Sequence, residues 1–162
     1  MTDSAERLST SRRIPASAAA IFAVVTDPHG HVAIDGSGML VASPDASRLE
    51  NVGDSFMMDM DREPLGDLPL GKYTVLNTVT RIEPDRLIEW NVGSPEHKPL
   101  GHVYGFELDP IDDVTTVVTN YCDWTDLNPK LRDRVVFPIV PVEMLEASLV
   151  KLEQILAGSG QD

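Results

Sequence analysis

Residues 141–157 read PVEMLEASLVKLEQILA, and this stretch decides the fold. Val142, Leu145, Leu149, Leu152 and Leu156 recur at spacings of three and four, which puts them in one apolar stripe along a helix. Pro141 suits a first helical position, where its missing N–H needs no partner, and Glu143 and Glu146 lie toward the positive end of the dipole. Gly158 is expected to end the helix, with residues 158–162 as a flexible tail. Met144 and Ser148 flank the stripe rather than belong to it. A helix with one apolar face has to be covered, and the chain upstream shows by what.

Working back from that helix, residues 39–125 lose helical spacing. Short runs of strand composition alternate with Gly, Pro, Asp and Asn clusters. Residues 55–61 alternate cleanly, with Phe56, Met58 and Met60 on one side and Met57, Asp59 and Asp61 on the other. Residues 72–82 are rich in β-branched side chains, and 86–92, 102–108 and 114–124 follow as further strands, with 39–42 a short first one. That succession predicts a meander of five to six antiparallel strands. Residues 62–71 and 93–100 carry too much Pro and Gly for central strands and read as loops.

The remaining pieces flank this meander. Residues 6–14 are β-compatible but polar, as an edge strand is. Residues 16–26, ASAAAIFAVVT, predict a short helix capped by Ser17, and 29–35 one further short turn before the Gly36-Ser37-Gly38 loop. Residues 128–136 predict another short helix, interrupted by Pro138 and Pro141. The architecture expected is therefore α+β, with a curved antiparallel sheet around a long C-terminal helix and two short helices after the first strand. A chain of 162 residues without linker or repeat is read as a single domain, long enough to bury about 70% of its unfolded surface.

Composition narrows the partners. A formal charge of −13 repels phosphate backbones and anionic lipid heads, so neither nucleic-acid binding nor membrane insertion is expected. Cys122 stands alone, the N-terminal residues lack a signal-peptide core, and the reading is a cytoplasmic protein. Exposed strand edges leave room for a homodimer. No phosphate loop, nucleophile elbow or cofactor motif occurs. His29, His31 and Asp35 resemble a metal cluster, but zinc needs three or four ligands of fixed geometry, so no metal is expected.

The order of elements resembles the START-related, Bet v 1-like superfamily, also called SRPBCC or polyketide cyclase/dehydrase-like. The resemblance rests on IPASAAAIFAVVTDP at the entry to the first helix, GHVYGFELDPIDDVTTVVTNYCDWT as paired late strands, and MLEASLVKLEQIL as the gripped helix. It implies a helix-grip fold with a ligand between sheet and helix, where pocket physics would also place one. Inward alternation then nominates Phe56, Met58, Met60, Trp90, Tyr104 and Phe106. On residues 114–124 two faces stay open, and the one with fewer hydroxyls adds Val118 and Asn120. Met144 and Ser148 come from the helix, while His31 and Asp35 are expected at the pocket entrance.

Three functions are compatible with that resemblance. The first is binding of a small hydrophobic or amphipathic molecule, lipid or polyketide-like, without a cofactor. The second is a polyketide cyclase or dehydratase using the same cavity, with Tyr104 or His31 moving protons. The third is a co-chaperone-like interaction module with its groove filled.

Overall fold

In the computed structural model, residues 6–44 and 46–159 are described. The chain runs β1 (Arg7–Ile14), α1 (Ala18–Val25), α2 (Pro28–Ile34), β2 (Leu40–Ala42), β3 (Ser55–Asp61), β4 (Lys72–Glu83), β5 (Leu87–Gly93), β6 (Val103–Asp112), β7 (Thr115–Asp123) and α3 (Val142–Ser159). Among the described residues the seven strands form one antiparallel sheet in the order β1-β7-β6-β5-β4-β3-β2. The meander supplies six of them in sequence order, and β1 closes the far edge by pairing Leu8 with Cys122 and Ile14 with Thr116 on β7. This is a helix-grip α+β fold, with the sheet curved around α3.

Curvature has local causes. The β4–β5 register shifts between Val79 and Arg81, and β6–β7 shifts between Pro110 and Asp112. Each such irregularity bends its strand and raises the local twist. The concave face then meets α3, where Leu149 and Leu152 bury completely beside Ile14 and Val118. Ile21, Val25 and Ile34 of the two short helices complete this core.

One glycine sets how tightly α3 is held. A Cβ on Gly36 would stand 2.3 Å from the Met144 carbonyl oxygen and 2.7 Å from Cβ of Ala147. The bare backbone lets the Gly36 N–H donate to Ser148 Oγ at 2.9 Å, and Lys151 Nζ donates to the Asp35 carbonyl at 2.8 Å. The α2–β2 loop is thereby clamped onto the helix.

On the convex face Tyr121 is buried although its neighbours Thr119 and Val117 are half-exposed. It lies over Gly105, its partner in register, where a Cβ would come within 2.5 Å of the ring. Its hydroxyl donates to Glu89 Oε1 at 2.7 Å, and the Arg7 guanidinium covers the ring at 4.0 Å.

Two expectations need correction, and a third holds with a shifted start. Residues 128–136 form only a single 3-10 turn, Pro129–Leu131, whose Asn128 cap accepts from Lys130 N–H instead of starting a full helix. The second of the two short helices expected after the first strand is present; it begins at Pro28, one residue before the expected 29–35, because Asp27 caps it through the His29 N–H at 3.0 Å. Gly158 does not end α3, which continues to Ser159; the rest of the expected tail, residues 160–162, lies outside the described residues. Among the described residues no helix is long and apolar enough to cross a membrane.

Candidate functional site

Alternation along the strands builds the site. Residues two apart share a face, so β3 directs Met58 and Met60, β4 directs Tyr73, Val75 and Asn77, and β5 directs Trp90 and Val92 toward α3. Tyr104 and Phe106 of β6 and Asn120 of β7 continue that surface. The sheet is wider than one helix, and the two part where Met144, Leu145 and Ser148 face it. A pocket of about 340 Å³ lies between them. The His31 ring is part of the wall, as are Leu70, Ile139 and Val140, with Leu70 half-exposed.

Of the residues nominated from sequence, Met58, Met60, Trp90, Tyr104, Phe106, Asn120, Met144, Ser148, His31 and Asp35 all border this space. Phe56 and Val118 do not. Both are buried in the packed core, Phe56 against the edge of the His31 ring at 5.4 Å between centroids. Alternation selects the face of a strand correctly, but how far along it the hollow reaches depends on where α2 sits. His31 is not at an entrance either. It is only 4% exposed, stacks on Trp90 at 4.6 Å, and its Nε2 is 2.6 Å from the Val25 carbonyl oxygen.

That hydrogen bond defines the ring's chemistry. A carbonyl can only accept, so Nε2 carries the proton and Nδ1 of the neutral ring is an acceptor. Burial pulls the His31 pKa down, outweighing the Val25 carbonyl and the Asp27 charge, which favour the cation. Tyr104 moves the other way: burial, then the charge of Cys122 and the hydrogen bond with it, raise it well above the ordinary phenol value. The Cys122 thiol is pushed up to about 12 by burial and is no nucleophile. Tyr104 therefore carries a neutral hydroxyl at physiological pH.

Several polar groups on the pocket wall are already engaged within the protein. Asp35 accepts from Ser37 N–H, Ser37 Oγ and Leu40 N–H at 2.7–3.0 Å, so its carboxylate holds the loop. Ser148 Oγ accepts from Gly36 and donates to the Met144 carbonyl. Asn120 Nδ2 donates to the Leu145 carbonyl at 3.3 Å, tying β7 to α3. The His-x-His pair is split, His29 being exposed beside Asp27 at 3.4 Å while His31 points inward.

The sequence reading missed Arg62, Tyr73, Asn77 and His102. Arg62 is buried and paired in a two-pronged ion pair with Asp67, both contacts at 2.8 Å. That pairing holds the Asp67 carboxyl down at about 2 and raises the guanidinium. Nothing in a Pro- and Gly-rich loop signals this. Tyr73 and Asn77 were accessible to alternation along residues 72–82, extended by the same step that found Met58. His102 precedes β6, touches the Phe137 ring at 4.7 Å, and is drawn down to about 4 by burial.

A depressed histidine makes stability pH-dependent. The ordinary value is 6.5, so on acidification the unfolded chain takes up the proton first. Stability is full at neutral pH and falls as pH drops from about 6.5 toward about 4, by about 3 kcal/mol from His102 alone. His31 adds in the same direction. Urea midpoints measured across that range should decline, and His102→Phe should decline less steeply.

No protein-family model matches the chain. The Mycobacterium tuberculosis protein Rv0088 is 33% identical over 118 residues, covering 73% of this chain and 47% of that protein. The chain thus spans about half the length of the curated relatives it matches. Among solved structures, protein NE0264 of Nitrosomonas europaea superposes with a TM-score of 0.66 at 15% identity, over 99% of this chain and 100% of that one. Norcoclaurine synthase of Thalictrum flavum, in complex with dopamine and hydroxybenzaldehyde, superposes with a TM-score of 0.63 at 15% identity, over 94% and 87% of the two chains. Identities this low speak for architecture. The chain has the Bet v 1-like, helix-grip fold.

Proposed function

We propose that the chain binds a small amphipathic molecule between the sheet and α3. The observation that carries this reading is the pocket of about 340 Å³, walled by methionines and aromatic rings with a few polar groups among them. Its size lies within the usual range for small-molecule sites, about 300–1,000 Å³, and mostly apolar walls with sparse polar contacts are their usual character. Met58, Met60 and Met144 adapt to irregular shapes, which suits a ligand of mixed contour. An open volume of this kind counts against the filled-groove, co-chaperone-like reading.

The cyclase or dehydratase reading has weaker support. A general base works best with a pKa near the operating pH, and His31 and Tyr104 are both moved away from it. Norcoclaurine synthase shares the fold and holds small aromatic molecules, but at 15% identity that likeness extends to architecture.

Trp90 supplies the test. The chain has two tryptophans, and Trp124 stacks on Phe137 away from the pocket wall. In a Trp124→Phe background, titration with apolar and hydroxylated aromatic probes and medium-chain alcohols is expected to change Trp90 emission saturably. An emission indifferent to all of them would remove the proposal.

A further inference from the structure

Among the described residues that line the pocket, Arg62 is the one permanent cation. It stands two residues beyond Met60, on the inward face that Met58 and Met60 share. Its backbone N–H donates to the Gly71 carbonyl at 2.9 Å, which fixes where the side chain starts. The residue is buried, yet its side chain keeps 10% of its surface open.

A guanidinium presents five N–H donors along two edges. Asp67 takes one edge, Nε and Nη2, at 2.8 Å each. The other edge, led by Nη1, carries no hydrogen bond to the described residues, and Nη1 is not sealed from water as Asn77 Oδ1 and His102 Nδ1 are. On the neighbouring strand Tyr73 pairs with Met60, and its hydroxyl adjoins the guanidinium.

Burial decides which sign of charge the cavity feels. Asp67 does not border the cavity and its side chain is 45% exposed, so water screens it far more than it screens Arg62. The ion pair is therefore a dipole with its positive end toward the pocket. The guanidinium charge also acts on Tyr104 of β6, where it favours the anion. Asp35, the carboxylate on the same wall, is turned onto Ser37 and the Leu40 N–H. A carboxylate fits a free guanidinium edge with two charge-assisted hydrogen bonds, and a phenol beside it can donate another.

We propose that Arg62 and Tyr73 form an anion-recognising end of the pocket, and that its ligand is an amphipathic carboxylic acid whose carboxylate sits on the free guanidinium edge. This deepens the binding reading above and rests on it. Naphthalene, naphthamide and naphthoate are titrated by calorimetry at neutral pH against the wild-type chain, Arg62→Gln and Asp67→Asn. Wild type should bind naphthoate about tenfold or more tightly than naphthalene, as hydrogen bonds to a charged group allow. Naphthamide, similar in shape but uncharged, should fall between them.

Arg62→Gln should erase the naphthoate advantage while naphthalene keeps its affinity. Asp67→Asn leaves Arg62 in place and removes a competing acceptor, so naphthoate should bind more tightly and naphthalene as before. Should Arg62→Gln fail to fold, Asp67→Asn decides alone. If the ion pair serves only to hold the 62–71 loop, each variant moves all three affinities together, and the inference is overturned. Naphthoate no tighter than naphthalene in wild type overturns it too, while the binding reading stands. If none of the three binds, both readings fall together.

Discussion

Met144→Trp is expected to abolish ligand binding while leaving the Tm unchanged or higher. Met144 projects from the first turns of α3 into the pocket and is only partly buried. An indole there would occupy the space a guest needs. In a hollow site the added surface finds contacts that were missing, and filling a cavity commonly adds about 0.5–2 kcal/mol. In a close-packed core the same change would force neighbours off their rotamers and cost about 1–3 kcal/mol. The sign of the Tm change therefore distinguishes a hollow from a solid interior, independently of any ligand. A marked fall in Tm would show that the gap between sheet and helix is already full.

Leu152→Ala should have the largest effect on stability, a loss of about 2–5 kcal/mol. Leu152 is completely buried, and its neighbours in the core include Ile14 and Val118 from the two strands that lie furthest along the grip. Truncation removes apolar contact and leaves a void that a curved sheet, pinned by seven paired strands, cannot collapse to fill. For a chain of this size the Tm should drop by about 5–15 °C in a thermal melt. Leu156→Ala, at a half-buried position on the same stripe, should cost clearly less. Equal costs at the two positions would show that the stripe is not gripped as described.

What the residues disclosed in advance follows from periodicity. The α3 stripe and the alternation of Phe56, Met58 and Met60 are geometric consequences of 3.6- and 2-residue repeats, so the element order and most inward faces could be read directly, while residues 114–124, apolar on both sides, left theirs open. Tyr121 escaped that logic, because its burial on the convex face depends on Gly105 across the ladder. His31 escaped it as well: one residue of a two-turn helix carries no periodic signal that separates a buried wall from a mouth. Arg62 and Asp67 meet through a loop whose Gly66 and Gly71 take positive φ, and such loops encode contacts in backbone geometry rather than in pattern. Phe56 and Val118 show the remaining gap, since a face is legible in sequence and the depth of a hollow along it is set by packing.

Native mass spectrometry of the chain purified from its own host tests the central claim most directly. The account predicts a bound organic molecule, small enough for a cavity of about 340 Å³, that is lost from Met144→Trp. Ligand-free protein alone, together with a Met144→Trp variant that is less stable than wild type, would contradict it.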